Sequence, residues 1–254
     1  MKLIIQIPCF DEEQTLPATL RDLPREIPGI DTVEWLVIDD GSTDRTAEVA
    51  RGAGADHLVR LTNNKGLAAA FQAGLDAALK LEADVIVNID ADDQYRASEI
   101  PKLVAPILEG RADMVLGSRF LDGDPVAGGM PRWKYFANRL LTTIENKILR
   151  TDFAELHTGY RAYSRRLLLT VPFLRNSHDF AFDSELLMQA AHFGFAIKEV
   201  PARCRYFGDA SSVGFKAGTV YGVKTLVAGL RLVLHRRGIV RSRKFSRGGP
   251  AAPR

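Results

Sequence analysis

Short apolar runs rich in β-branched residues recur through the first half of the chain, at Leu3–Ile7, Val33–Ile38, His57–Leu61, Asp84–Ile89 and Asp113–Leu116. Between them the apolar positions repeat at helical spacing, over Glu13–Leu23, Thr43–Ala53, Gly66–Leu81 and Ser98–Glu109. The first pattern predicts buried strands and the second amphipathic helices. Their strict alternation predicts an α/β fold: a mostly parallel, doubly wound, Rossmann-like sheet covered on both faces, with ligands at the carboxyl ends of its strands.

Those strand ends are where the polar residues gather. Pro8-Cys9-Phe10-Asp11-Glu12 follows the first strand, Asp39-Asp40-Gly41-Ser42 the second, and Val85-Ile86-Val87-Asn88-Ile89 runs straight into Asp90-Ala91-Asp92-Asp93-Gln94. A buried strand cannot hold unpaired charge, so Asp90 and Asp92 are expected where the strand emerges at the sheet edge. Two carboxylates and the amide oxygen of Gln94 form a set of hard oxygen ligands suited to a divalent cation, Mg²⁺ or Mn²⁺, that also binds substrate phosphates. In the same crevice, Phe10 and the backbone around Pro8 can wall a nucleobase, Asp39 can accept from a ring N–H, and Glu12 can meet a ribose hydroxyl. Gly66 and the small run after it allow a helix to pack closely beside a nucleotide.

From residue 117 the alternation breaks down. Gly117-Ser118-Arg119 leads into a Gly/Pro/Asp-rich loop at Leu121–Pro131, expected to be mobile. A helix at Tyr135–Leu149, the polar run Glu155-Leu156-His157-Thr158-Gly159-Tyr160-Arg161, a helix at Asp183–His192 and a strand at Ala196–Val200 follow. The last periodic segment, Thr219–His235, places Val223, Leu226, Val227, Leu230, Val233 and Leu234 on one face, with Lys224 and Arg231 near its border. It reads as too short and too polar to span a bilayer and as suited to lie in the membrane plane, its cations reaching headgroups. The expected organisation is a main α/β domain at 1–210, an amphipathic, membrane-associated helix at 211–235 and a basic, disordered tail at 236–254.

Composition adds an asymmetry. The 254 residues are 46% hydrophobic, enough for one large domain. Ten of the 34 basic residues follow Asp209 and no acid does, leaving 24 bases against 31 acids before that point, a net of −7 under an overall +3. An acidic body with a basic end points to an anionic surface. Because the basic end has no interleaved aromatics or recognition motif, a nucleic-acid partner is not expected. Cys9 and Cys204 have neither metal-ligand spacing nor scaffold density, and no signal segment precedes the first strand; a reduced, cytoplasmic chain without a disulfide is expected.

Taken together, Pro8–Glu13, Val37–Asp44, Asn64-Lys65-Gly66 with Ala70 and Gly74, Asp90–Gln94, Gly117-Ser118-Arg119 and Thr158–Arg161 resemble, in order and spacing, the motifs of family 2 glycosyltransferases. Within that family the chain looks most like the dolichyl-phosphate mannose synthase and polyprenyl-phosphate glycosyltransferase branch. The resemblance covers about residues 1–210 and implies the type A nucleotide-sugar transferase (GT-A) fold. It implies an inverting transfer of one sugar from a UDP- or GDP-linked donor to a polyprenyl phosphate at the cytoplasmic face of the membrane. By resemblance Pro8, Phe10, Glu12, Asp39, Asp40, Gly66 and Asp90 hold the donor, Asp90, Asp92 and Gln94 the metal, and Arg119, Lys134 and Asn138 the acceptor phosphate. Asp92, Arg119, Glu155 and Asp183 are the candidate catalytic residues.

The chain departs from the family at several of these positions. Lys134 and Asn138 stand for an arginine and a serine, Glu155 for an aspartate, His157 for a small polar residue, and Tyr95-Arg96-Ala97-Ser98 for a proline-rich turn before Glu99. Asp183 and Glu185 lie where hydroxyl-directed relatives keep a catalytic carboxylate, so transfer to a sugar or small-molecule hydroxyl is the rival reading. Nucleotidyl transfer would need a glycine-rich phosphate loop after the first strand, and Pro8–Glu12 contains no glycine.

Overall fold

A computed structural model describes residues 1–91, 94–122, 125–204 and 214–246. Seven strands form one sheet in the order β3-β2-β1-β4-β6-β5-β7: β1 (Lys2–Cys9), β2 (Thr32–Asp39), β3 (His57–Arg60), β4 (Val85–Asn88), β5 (Met114–Ser118), β6 (Arg161–Ser164) and β7 (Ile197–Pro201). All neighbours run parallel except β6, which is antiparallel to both β4 and β5. The expected mostly parallel α/β sheet is present.

Side chains alternate between two cores, as a pleated strand requires. On β1, Leu3, Ile5 and Ile7 enter one core with Leu16 and Leu20 of α1 (Leu16–Asp22), Ala50 of α2 (Thr46–Gly52) and Leu103 and Val104 of α4 (Ile100–Leu108). Ile4 enters the other core, with Phe71 and Leu75 of α3 (Leu67–Lys80), Leu167 of α6 (Arg165–Thr170) and Phe182 and Leu186 of α7 (Ala181–His192).

Strand β6 is absent from the sequence pattern, and the reason is Arg161. A charged residue opens the strand, yet it is fully buried, because its Nε, Nη1 and Nη2 donate to the carbonyls of Thr158, Asp183 and Leu156 at 2.7, 2.8 and 3.0 Å. Three backbone acceptors satisfy a cation that periodicity alone would place outside.

Two long helices cross the end of the domain, α5 (Arg132–Leu149) and α8 (Phe215–Arg236). Helix α8 buries the small residues Gly222, Thr225, Ala228 and Gly229, with Leu232, against α5 and α7. Its larger apolar residues face outward: Val223 is 56% and Leu230 57% exposed, and Val220, Leu226 and Val227 share that side. The apolar face read from the sequence is therefore not the packed one. Beside it α5 exposes Phe136 (68%) and Leu140 (63%). The stretch Ala217–Arg236 is long and apolar enough to cross a membrane by length and composition alone.

The tail was expected to be disordered from 236, and its described part differs. Residues 239–246 turn back on α7, with Phe245 buried, the Lys244 carbonyl accepting from Gln189 at 2.9 Å and the Phe245 carbonyl 3.0 Å from Nε2 of His192. One aromatic anchor supplies the burial that a basic composition did not suggest. Residues 247–254 lie outside the described residues, as do Gly123 and Asp124 of the loop expected to be mobile; that loop closes on a buried Met130.

Candidate active site

The loops after β1 and β2 are knitted together by side chains of their own motifs. Asp11, held at φ 55°, accepts the Thr43 N–H at 2.7 Å while its own N–H donates to Ser42 Oγ at 3.0 Å, and Asp44 accepts from Glu13 N–H at 3.1 Å. Asp39 is fully buried, accepts the Ser42 N–H at 2.8 Å and lies 3.1 Å from Nε of Arg60. Asp40 accepts the backbone N–H groups of Lys65 and Gly66 at 2.9 and 2.8 Å, closing the loop onto the start of α3. Gly66 takes φ 89° there, a conformation that a side chain would strain.

These loops wall a cavity of about 580 Å³ at the carboxyl edge of the sheet, with Pro8, Phe10, Glu12, Asp40, Asp90 and Gln94 among its lining residues. Gly66 also reaches it. Asp39 is not among those lining residues: its Oδ1 accepts from Ser42, while its buried Oδ2, 3.1 Å from Nε of Arg60, has no hydrogen-bond partner among the described residues. Asp39 remains the expected partner of a base N–H, and its bond to Ser42 shapes the loop that carries Asp40.

A second cavity, about 460 Å³, opens between α5 and α8 and is lined by Trp133, Ala137, Leu140, Leu141 and Leu226 as well as Asn138 and Asp183. The two cavities share Asp90, Arg119, Lys134, His157 and Gly159. The shared wall depends on the run Glu155–Gly159. Asn88 on β4 donates to the Gly159 carbonyl at 2.9 Å, and a Cβ on Gly159 would sit 3.3 Å from Oδ2 of Asp90, so this position keeps clear the space beside that carboxylate. Asp90 and Gln94 present oxygen donors to the first cavity, a chemistry that fits a hard divalent cation. Among the described residues no group of three or more His, Cys, Asp or Glu has metal-holding geometry; Asp92, expected as both ligand and catalytic residue, lies outside the described residues.

Arg119 is gripped by Glu155. The Arg119 Nε donates to Oε1 at 2.9 Å, its backbone N–H donates to Oε2 at 2.8 Å, and an Nη2 contact completes the fork. Asn138 donates to the same carboxylate at 3.0 Å, and Nη2 of Arg119 also donates to the His157 carbonyl at 3.3 Å. Glu155 is fully buried and lines neither cavity. Burial works against its charge, but Arg119 and its other donors hold its carboxyl below the ordinary value. Its contacts fix the orientation of Arg119. Burial and the neighbouring charge of Arg119 push Lys134 below its ordinary value. Two cations on one wall disfavour each other until an anion lies between them.

Asp183, in the first turn of α7, reaches the second cavity; its Oδ1 has no hydrogen-bond partner and sits 3.9 Å from Nη1 of Arg161. Burial raises its carboxyl above the ordinary value, with Arg161 opposing. Glu185 turns away, accepting from the backbone and hydroxyl of Ser177 at 2.7 and 3.1 Å and pairing with Lys244. It is not a candidate base.

The sequence reading did not find Glu145 or Tyr221. Nδ1 of His157 lies 2.7 Å from the Tyr221 hydroxyl on α8, which lies 3.0 Å from Ser184 Oγ, and Nε2 lies 3.1 Å from Oε2 of the fully buried Glu145 on α5. Burial pushes Glu145 up to about 8 and His157 down to about 3, so burial favours a neutral acid facing a neutral imidazole, and neither the Glu145 oxygens nor Nε2 has a hydrogen-bond partner among the described residues. The signal was there: Asn138, Thr142, Glu145 and Leu149 are the buried positions of α5, at heptad spacing, and three of them are polar. The departure at Tyr95 is also absorbed, since its ring stacks on Tyr160 at 4.9 Å and its hydroxyl meets Thr158 at 3.2 Å. Both cysteines are free.

Comparison with known proteins agrees with this geometry. Residues 4–171 match the family described as glycosyl transferase family 2. Polyprenol monophosphomannose synthase of Mycolicibacterium smegmatis is 31% identical over 206 residues, covering 79% of this chain and 76% of its own. Dolichyl-phosphate hexose transferase of Haloferax volcanii is 31% identical over 221 residues, covering 87% and 90%. Among solved structures, glucosyl-3-phosphoglycerate synthase of Mycobacterium tuberculosis, in complex with Mn²⁺, UDP and phosphoglyceric acid, superposes with a TM-score of 0.66 at 21% identity, over 95% of this chain and 80% of that one. That likeness is one of fold.

Proposed function

The chain belongs to glycosyl transferase family 2, and from that membership we propose that it moves one sugar, with inversion, from a UDP- or GDP-linked donor to a polyprenyl phosphate. The observation that carries the reading is the shared wall: a cavity rich in acids and small residues meets an apolar groove at Asp90, Arg119 and Lys134. Those two cations would hold a lipid monophosphate with its isoprenoid lying against Trp133, Leu140 and Leu226. Two of the relatives bear names of polyprenol and dolichyl phosphate chemistry, which supports this acceptor.

In this mechanism a phosphate oxygen attacks the anomeric carbon from the face opposite the leaving nucleoside diphosphate. One C–O bond forms as the other breaks. The nucleophile arrives anionic, so no side chain has to take its proton. Arg119, oriented by Glu155, and Lys134 align it. A divalent cation held by Asp90, Gln94 and Asp92 would supply neutralisation of the charge that develops on the leaving diphosphate. The outward apolar faces of α5 and α8 would rest on the cytoplasmic face of the membrane.

The test is nucleoside diphosphate release from a panel of UDP- and GDP-sugars with Mn²⁺ or Mg²⁺, with and without a short-chain polyprenyl phosphate. Release that depends on the lipid phosphate supports the reading; release that depends on a soluble sugar alone overturns it. The second outcome has one observation in its favour, the raised and partly exposed carboxyl of Asp183 in the acceptor cavity.

A further inference from the structure

Beyond the catalytic crevice, the folded tail makes a second polar cavity. About 440 Å³ in volume, it is lined by Arg175, Arg231, Arg241, Arg243 and Lys244, with Val240 and Ser242. No acid is among these, and the eight residues beyond Ser246 contain none. Among the described residues, the one carboxylate paired with a lining cation is that of Glu185, which takes Lys244. The turn that carries the cations is folded: Arg175 Nη1 donates to the Arg243 carbonyl at 2.8 Å, the Ser242 N–H meets His235 Nδ1 at 3.2 Å, and Phe245 is buried as an anchor. Arg231 stands roughly 15 Å further along α8 than Tyr221, so the cavity is separate from the reaction site.

Like charges gathered by a folded turn repel one another, and a bound anion removes that cost. The surroundings say where the anion sits. Val240, a lining residue, is 42% exposed, and Leu174, Leu230 and Ile239, each next in sequence to a lining residue, are exposed as well. Apolar side chains beside unpaired arginines match an acyl–headgroup boundary and not free solution. Single-stranded nucleic acid would need exposed aromatic platforms, and the tail's one aromatic, Phe245, is buried.

We infer that Arg175, Arg231, Arg241 and Arg243 form a binding site for the phosphate headgroup of an anionic membrane lipid. The site rests on the membrane contact proposed above and deepens it: it fixes which end of α8 meets the charged surface.

The test compares the full chain with an Arg241→Gln/Arg243→Gln variant, and with an Arg21→Gln/Arg51→Gln control that removes the same charge from α1 and α2. Binding is measured to vesicles of phosphatidylcholine alone and of equimolar phosphatidylcholine and phosphatidylglycerol. The tail variant should bind the anionic vesicles roughly 30-fold more weakly, at about fivefold per arginine, while the control binds as the unmodified chain does. Turnover of a soluble short-chain acceptor should be unchanged in the tail variant, which shows that it is folded. Equal weakening in the control, or no weakening in the tail variant, overturns the site. So does displacement from the anionic vesicles by inorganic phosphate at concentrations below those of the lipid, or tighter binding of a homopolymeric RNA through the same arginines. If the protein turns over no polyprenyl phosphate yet loses anionic-vesicle binding in the tail variant alone, the acceptor reading fails and the headgroup site stands.

Discussion

Arg119 and Glu155 form a fork-to-fork pair in which the carboxylate is wholly buried and the guanidinium faces both cavities. A buried pair of this kind is sensitive to the loss of one member, because the remaining charge is left without a partner. Glu155→Gln should therefore lower stability by about 3 kcal/mol or more and raise the apparent KM for the acceptor phosphate, while the donor KM stays near its original value. Glu155→Asp should recover part of both losses. Steady-state kinetics and thermal unfolding measure them; an unchanged acceptor KM in folded Glu155→Gln would show that Arg119 does not position the acceptor.

The buried Glu145–His157 contact makes stability depend on pH. Glu145 is pushed up to about 8 from an ordinary 4.5 by burial, against the field of Arg161. A carboxyl that keeps its proton longer in the folded chain lends stability that is full below the ordinary value and lost as pH rises towards 8. His157, pushed down to about 3 from 6.5, acts in the opposite sense: the fold loses stability as pH falls below 6.5, until about 3. Glu145→Gln keeps the size of the side chain and removes the titrating group, so the decline between about 6.5 and 8 should flatten in thermal melts against pH. The same slope in the variant as in the unmodified chain would mean that Glu145 is ionised in the fold.

Asp90 is the described carboxylate best placed to bind a cation, at the wall shared by both cavities. Asp90→Asn should lower turnover by orders of magnitude and weaken Mn²⁺ binding measured directly by titration calorimetry, with the melting temperature little changed because the group sits at a cavity edge. Mn²⁺ binding of unaltered affinity in the variant would remove Asp90 from the ligand set.

The two cores, the parallel strands and the crevice at their ends are legible in hydrophobic periodicity because Leu3, Ile4, Ile5 and their counterparts obey it. Arg161, Glu145 and His157 escape it for a common reason: each is a polar side chain at a buried position, and a reading that places polar residues outside does not see the backbone carbonyls of Thr158, Leu156 and Asp183 or the Tyr221 hydroxyl that receive them. Asp39 and Glu155 illustrate a different limit. Motif spacing brings them to the right loops, but only the folded chain reveals that one oxygen of Asp39 is taken by Ser42 and that Glu155 is held by Arg119 and Asn138.

The acceptor separates into two outcomes through Asp183 and Arg119. If the nucleophile is a lipid phosphate, Arg119→Ala removes a cation that aligns it and should cost far more turnover than Asp183→Asn, which removes a carboxyl that no proton transfer uses. A hydroxyl acceptor reverses the order, because loss of a general base costs about 10²–10⁴-fold and a neutral nucleophile gains little from Arg119. Removing the Asp183 carboxylate leaves Arg161 its three backbone acceptors, so Asp183→Asn should stay folded, which circular dichroism checks. Both variants are assayed with polyprenyl phosphate and with soluble sugars. A folded but inactive Asp183→Asn beside an active Arg119→Ala would replace the lipid phosphate with a hydroxyl and make Asp183 the base.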